Sequence, residues 1–270
     1  MTRIGNHFFD IGYMDSLASD DSILHRLDPR AKLITTLVFI ALVVSFEKYE
    51  FSALIPFVIF PVIQISVGGL PAGYLVRKVL LVSPFAILIG IFNPLLDHEI
   101  RFYIGAIPIS GGWLSFLSIL TRFVLTVLSV LILIATTGFN DVCASLEKLG
   151  VPRPFVVQLM FLYRYLFVLT VETTRMVRAV SLRSFGSSGI GVKTFASMTG
   201  HLLLRTLDRA QRIHLAMLSR GFDGHIAILR SMRFGWREIA YIFGWSFLFF
   251  LFRWYNIPNI AGTFVTGFFS

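Results

Sequence analysis

Leu114–Thr137 reads LSFLSILTRFVLTVLSVLILIATT, and a single ionisable residue, Arg122, interrupts its apolar and small side chains. As a helix with a 1.5 Å rise per residue, the stretch is about 36 Å long, enough to cross the roughly 30 Å hydrocarbon core of a bilayer. Comparable segments flank it: Ala31–Phe46, Phe51–Val67 and Val79–Leu96 on one side, and Ile239–Ile257 near the C-terminus. The first two are joined only by Glu47, Lys48, Tyr49 and Glu50, which predicts a tight helical hairpin. Pro56, Pro61, Pro84 and Pro94 are expected to kink their helices, which is tolerated where neighbouring helices satisfy the freed carbonyls. The segment Ile104–Gly112 (IGAIPISGG) reads as a turn-rich loop or a small hairpin.

Composition agrees. Of the 270 residues 56% are hydrophobic and 14% charged, and the mean hydropathy is +0.77. A soluble domain is nearer 45–50% apolar and about 25% charged, so a disordered chain, a disulfide scaffold and a conventional soluble enzyme are excluded. The net charge of +9 would point to nucleic acid on a soluble chain, but the positions of Lys and Arg account for it without one. The single cysteine, Cys143, cannot form an internal disulfide. The first thirty residues are polar and include Asp10, Asp15, Asp20 and Asp21, so the first apolar segment is expected to direct insertion.

Arg3, Arg26 and Arg30 precede the first span, Lys32 lies at its very start, and Arg77 with Lys78 follow the second. The intervening loops carry Glu47 and Glu50, then Asp97 and Glu99. Lys and Arg collect on the cytoplasmic side, which places the N-terminus inside and returns the chain to the cytoplasm at Asn140 after four crossings. The interval Asn140–Glu238 then holds 14 of the 24 Lys and Arg. A further span at Phe155–Val171 would leave that Arg-rich stretch outside, against the charge rule, so a cytoplasmic helical domain is the better reading.

Within it, Asp141–Leu149 predicts a short helix, stopped by Gly150 and Pro152. A long helix is expected from about Pro154 to Ser184, with Leu159, Leu162, Leu166, Leu169, Met176 and Val180 at helical spacing. A second is expected from about Lys193 to Arg220, its apolar side carrying Leu203, Leu207, Ala210, Ile213 and Met217. Asp208 and Arg212 are spaced for an ion pair on its polar side. The expected fold is thus an all-α membrane protein with about five transmembrane helices and a cytoplasmic coupling domain of one short and two long amphipathic helices. By residues it divides into a cytoplasmic segment (1–30), a four-helix membrane region (31–138), the coupling domain (139–238), and a final span and tail (239–270).

Both long helices end alike. Leu182-Arg183-Ser184 and Ser219-Arg220-Gly221 are each followed by Phe, with Gly186 directly after Phe185 and Gly224 two residues after Phe222. A cation in the last turn of a helix is favoured by the dipole, so each alone reads as an ordinary C-terminal arginine. Their repetition at two helix ends points instead to two tips that dock on two copies of one partner. The glycine-rich GSSGIGVKT (186–194) does not place Lys directly after its last Gly, and no strand precedes it, so it reads as an elbow between helices. The six histidines, His7, His25, His98, His201, His214 and His225, lack ligand spacing and read as solvated or interfacial. Arg122, near the outer end of its span, is expected to snorkel. No pair of intramembrane carboxylates is in evidence, so neither an autonomous pump nor an intramembrane enzyme is expected.

Leu24-His25-Arg26-Leu27-Asp28-Pro29-Arg30-Ala31-Lys32 resembles the entry signature of the transmembrane T component of energy-coupling factor (ECF) transporters. Phe139-Asn140-Asp141, Leu146–Pro152 (LEKLGVP) and the two arginine tips look like its coupling domain. The resemblance is closest to the cobalt type, CbiQ, through Ile91-Phe92-Asn93-Pro94, Tyr163-Arg164-Tyr165, Leu182–Gly186 (LRSFG) and Ala216–Gly224 (AMLSRGFDG). It spans roughly residues 20–255. The family often has Ala before the two arginines, where this chain has Leu182 and Ser219.

The resemblance implies a coupling subunit in the bacterial cytoplasmic membrane. Two ATPase subunits would bind ATP, with Leu182, Arg183, Ser184, Ser219, Arg220 and Gly221 docking on them. A separate metal-specific membrane subunit would hold cobalt, and this chain itself would carry no catalytic residue, cofactor or metal. The alternatives are a T component of a nickel or vitamin system, or a polytopic enzyme acting on lipid.

Overall fold

The computed structural model describes residues 12–47, 50–96, 100–104, 107–183, 191–224 and 234–254. Residues 12–18 are helical (α1). The following elements are α2 (Pro29–Val44), α3 (Phe51–Gly68), α4 (Ala72–Gly90), α5 (Phe92–Leu96), β1 (Ile100–Ile104), β2 (Ile107–Ser110), α6 (Gly111–Thr137), α7 (Phe139–Lys148), α8 (Arg153–Arg183), α9 (Val192–Leu218) and α10 (Trp236–Trp254). The protein is an all-α membrane protein with one short antiparallel hairpin, in which Ile104 lies opposite Ile107.

The chain falls into two compact units, one holding the helices within Phe139–Ser231 and the other those within Met14–Gly138 and Met232–Ser270. In the second unit, α2 starts where Asp28 caps it, its carboxylate accepting from the Arg30 amide at 2.9 Å, with Pro29 at the first helical position. That combination satisfies an orphan N–H and uses a residue that has none to offer. α3 tightens into a 3₁₀ turn over Ile55–Val58, around Pro56, whereas Pro84 sits inside an unbroken α4. That helix starts at Ala72, seven residues before the span read at Val79. Arg77 and Lys78 therefore lie in its first turns and not in the loop after the second span, and the Lys78 ammonium sits 5.3 Å from the centre of the Tyr74 ring.

Aromatic packing holds α2, α3 and α10 together. Phe39, Phe57 and Phe249 are fully buried, with ring centroids 5.3 Å apart for Phe39–Phe249 and 4.6 Å for Phe39–Phe60. Tilted and edge-on pairs of this kind add to plain burial. A second cluster joins Met14 and Leu17 to Leu70, Leu75, Ile132 and Ala135. α4 instead turns Leu80, Leu81, Phe85, Leu88 and Ile89 outward, an apolar belt suited to lipid rather than water.

Among the described residues four helices are long and apolar enough to cross a membrane: Phe51–Gly68, Ala72–Pro94, Gly111–Thr137 and Arg153–Arg183. The five spans read from sequence share three of these. The helix read at Ala31–Phe46 has only 16 residues, and the final one carries Arg237, Glu238 and Arg253 near its ends. Arg153–Arg183 qualifies with the lowest mean hydropathy of the four, 1.6. Arg122 reaches the carbonyl of Glu47, so its guanidinium ends on the turn between α2 and α3.

Candidate coupling surface

α7 opens the other unit and is pinned to α8. Phe139 stacks on Tyr163 with centroids 4.4 Å apart, and Glu147 pairs with Arg153 at 3.2 Å. The LEKLGVP stretch makes the corner between them: the Val151 amide donates back to the Leu146 carbonyl (3.1 Å) while Gly150 takes a positive φ of 103°. These bonds close the last turn of α7, and Pro152 cannot continue it.

α8 and α9 are long, exposed and thinly packed. Val156 and Met160 are the buried residues of α8, both in its first half, and no residue of α9 is buried. Leu203, Leu204, Leu207 and Leu215 are more than half exposed. The sequence-expected Asp208–Arg212 pair is not formed; Arg205 turns instead to Glu172 on α8, at 2.8 Å.

The tips complete the surface. Leu182 and Arg183 are exposed at the end of α8; Ser184 lies outside the described residues, as do Gly186–Gly189 of the linker. At the end of α9 the Ser219 amide donates to Leu215, Gly221 to Leu218 and Phe222 to Met217. Gly221 has φ +76°, a conformation that costs an L-residue about 1–2 kcal/mol. The turn thereby stops the helix sharply, leaving Ser219, Arg220 and Gly221 at the surface. Among the described residues neither Arg183 nor Arg220 has an ion pair or hydrogen bond through its guanidinium, so both charges are open to an outside partner.

Among the described residues no three His, Cys, Asp or Glu gather as metal ligands. His201 and His214 are exposed. His25, read as solvated or interfacial, is in fact buried, with Nδ1 2.7 Å from the Ser22 hydroxyl. His7, His98 and His225 lie outside the described residues. Cys143 is a buried free thiol, pushed up to about 11 by burial.

The profile of the cobalt transport protein family CbiQ matches residues 20–231. The chain is 27% identical to an energy-coupling factor transporter transmembrane protein of Bacillus subtilis, over 75% of this chain and 82% of that one. It is 28% identical to its counterpart in Limosilactobacillus fermentum, over 81% and 86%. A nickel permease of Lactiplantibacillus plantarum is 28% identical over 38% of each chain. The helical membrane fold and these likenesses define a class, the T components of ECF transporters. Within that class the chain belongs to the CbiQ family.

Proposed function

We propose that this protein couples ATP hydrolysis to cobalt(II) import. Two ATPase subunits bind ATP in the cytoplasm, and each takes one tip: Leu182, Arg183 and Ser184 at the end of α8, or Ser219, Arg220 and Gly221 at the end of α9. Changes in ATPase spacing pass along α8 and α9 to a separate membrane subunit that holds the metal. The observation that carries this reading is the exposure of two arginines, each ending a long helix and each without a partner within the described chain. Guanidinium groups in that setting suit docking into acidic or carbonyl-lined grooves.

The N-terminal segment and residues 139–238 are cytoplasmic in this proposal, following the distribution of Lys and Arg. α8 then lies at the membrane face rather than across it, although its length and composition permit crossing. This chain supplies no catalytic group, and ATP belongs to the partners. Nickel is the second reading, favoured by the likeness to a nickel permease.

Cells producing this chain with its candidate ATPase and metal-binding subunits are expected to accumulate radioactive cobalt(II) in competition with nickel(II). Accumulation that persists when this chain is left out would remove the proposal, and preference for nickel would replace the metal.

A further inference from the structure

Lys32 is 3% exposed, and its ammonium donates to the carbonyl of Thr136 at 2.7 Å across 104 residues of sequence. The two groups have complementary reasons to meet. The last carbonyls of a helix have no partner within it and form its negative end, and Thr136 lies in the last turn of α6, itself 1% exposed. Lys32 lies in the first turn of α2, where a cation is unfavourable to its own helix dipole but is well placed to satisfy another helix. Thr36, Gln64, Ser129 and Tyr241 line the same small cavity as Lys32 and Thr136, among apolar neighbours that include Phe60 and Ile132. The bond thus sits where α2, α3, α6 and α10 meet.

Two residues beyond Thr136 the chain leaves this unit for the other. Gly138 makes the exit with φ +78°, its amide held by the Ile134 carbonyl at 2.8 Å. A Cβ there would lie 3.5 Å from the Ala18 methyl of α1. α7 begins at the next residue. A displacement arriving through Phe139 therefore falls first on the last turn of α6. A helix end frays more readily than its middle, and a frayed turn would absorb the displacement.

We propose that Lys32 is a positioning residue for coupling. It bolts the last turn of α6 to α2, so that motion entering at Gly138 moves the membrane helices together instead of unwinding α6. The inference rests on the coupling role proposed above.

The test compares the wild type with Lys32→Met and Lys32→Arg, each assembled with the two ATPases and the metal-binding subunit in proteoliposomes. ATP hydrolysis and uptake of radioactive cobalt(II) are measured on the same vesicles. Single changes within a coupling network alter the coupling between sites, so Lys32→Met should lower uptake per ATP hydrolysed about tenfold. ATP hydrolysis by the assembled complex should stay within about twofold of wild type, and Lys32→Arg should restore most of the ratio, since a guanidinium can reach the same carbonyl. An unchanged ratio in Lys32→Met would overturn the bolt. So would a parallel fall in assembly, hydrolysis and uptake, which marks a merely structural residue. If the wild-type chain itself fails to bind the ATPases, the coupling role falls first, and the bolt with it.

Discussion

Arg205 of α9 lies 2.8 Å from Glu172 of α8, an ion pair between helices that otherwise share little contact. The Glu172 side chain is 19% exposed and that of Arg205 66% exposed, so solvent screens the pair and its worth is at most about 1 kcal/mol. Its importance lies in geometry, because it fixes one point of contact between the helices that carry the two tips. A double-mutant cycle with Glu172→Gln and Arg205→Gln, read by thermal unfolding in detergent, should give a coupling energy no larger than about 1 kcal/mol. Cobalt uptake should fall more than stability does, and the charge-swapped pair Glu172→Arg/Arg205→Glu should recover part of it.

Phe249 is fully buried among Phe39, Phe57 and Phe60. Truncating such a side chain removes its contacts and leaves a cavity, so Phe249→Ala should cost about 3–5 kcal/mol and lower the unfolding temperature in detergent sharply. Phe85 is 72% exposed on α4. Phe85→Ala should leave that temperature nearly unchanged, and equal losses for the two variants would contradict the division between core and lipid-facing surface.

The membrane helices are legible in the sequence because an apolar run announces itself without a partner. Their ends are less so. Arg77 and Lys78 read as loop, yet the helix runs through them, since a charged head can reach water while its stem stays on the helix. The stop of α9 is legible from Gly221, whose positive φ matches its place after the last turn. Lys32 could not be paired in advance with Thr136, because their meeting depends on how α2 and α6 pack rather than on spacing along the chain. His25 escapes the sequence for the same reason: its burial comes from tertiary packing, and no local pattern marks it. The stacking of Phe139 on Tyr163 gives two of the quoted motif stretches a common purpose, which each alone does not disclose.

Gly221 ends α9 at φ +76°. Gly221→Ala should strain this turn by about 1–2 kcal/mol and re-aim Arg220. Retention of the ATPases in a detergent pull-down should drop while membrane insertion is unaffected; normal retention would mean that the turn does not set the tip.

Burial raises Cys143 from an ordinary 9.0 to about 11. A raised thiol value means less thiolate at any given pH below it, so its reaction with maleimide at neutral pH should be about a hundredfold slower than for an ordinary thiol. That low background allows Leu182→Cys and Ser219→Cys to report sidedness. A membrane-impermeant maleimide should label both in inverted vesicles and neither in intact cells. Labelling from outside would contradict the cytoplasmic placement of the tips.

Docking of the ATPases on the two tips is tested by affinity pull-down from detergent-solubilised membranes, comparing the wild type with Arg183→Glu/Arg220→Glu in the presence of the ATPase and metal-binding subunits. The double variant should insert normally and keep the metal-binding subunit but lose the ATPases, each single variant losing them in part. A folded double variant that still retains both ATPases would contradict it.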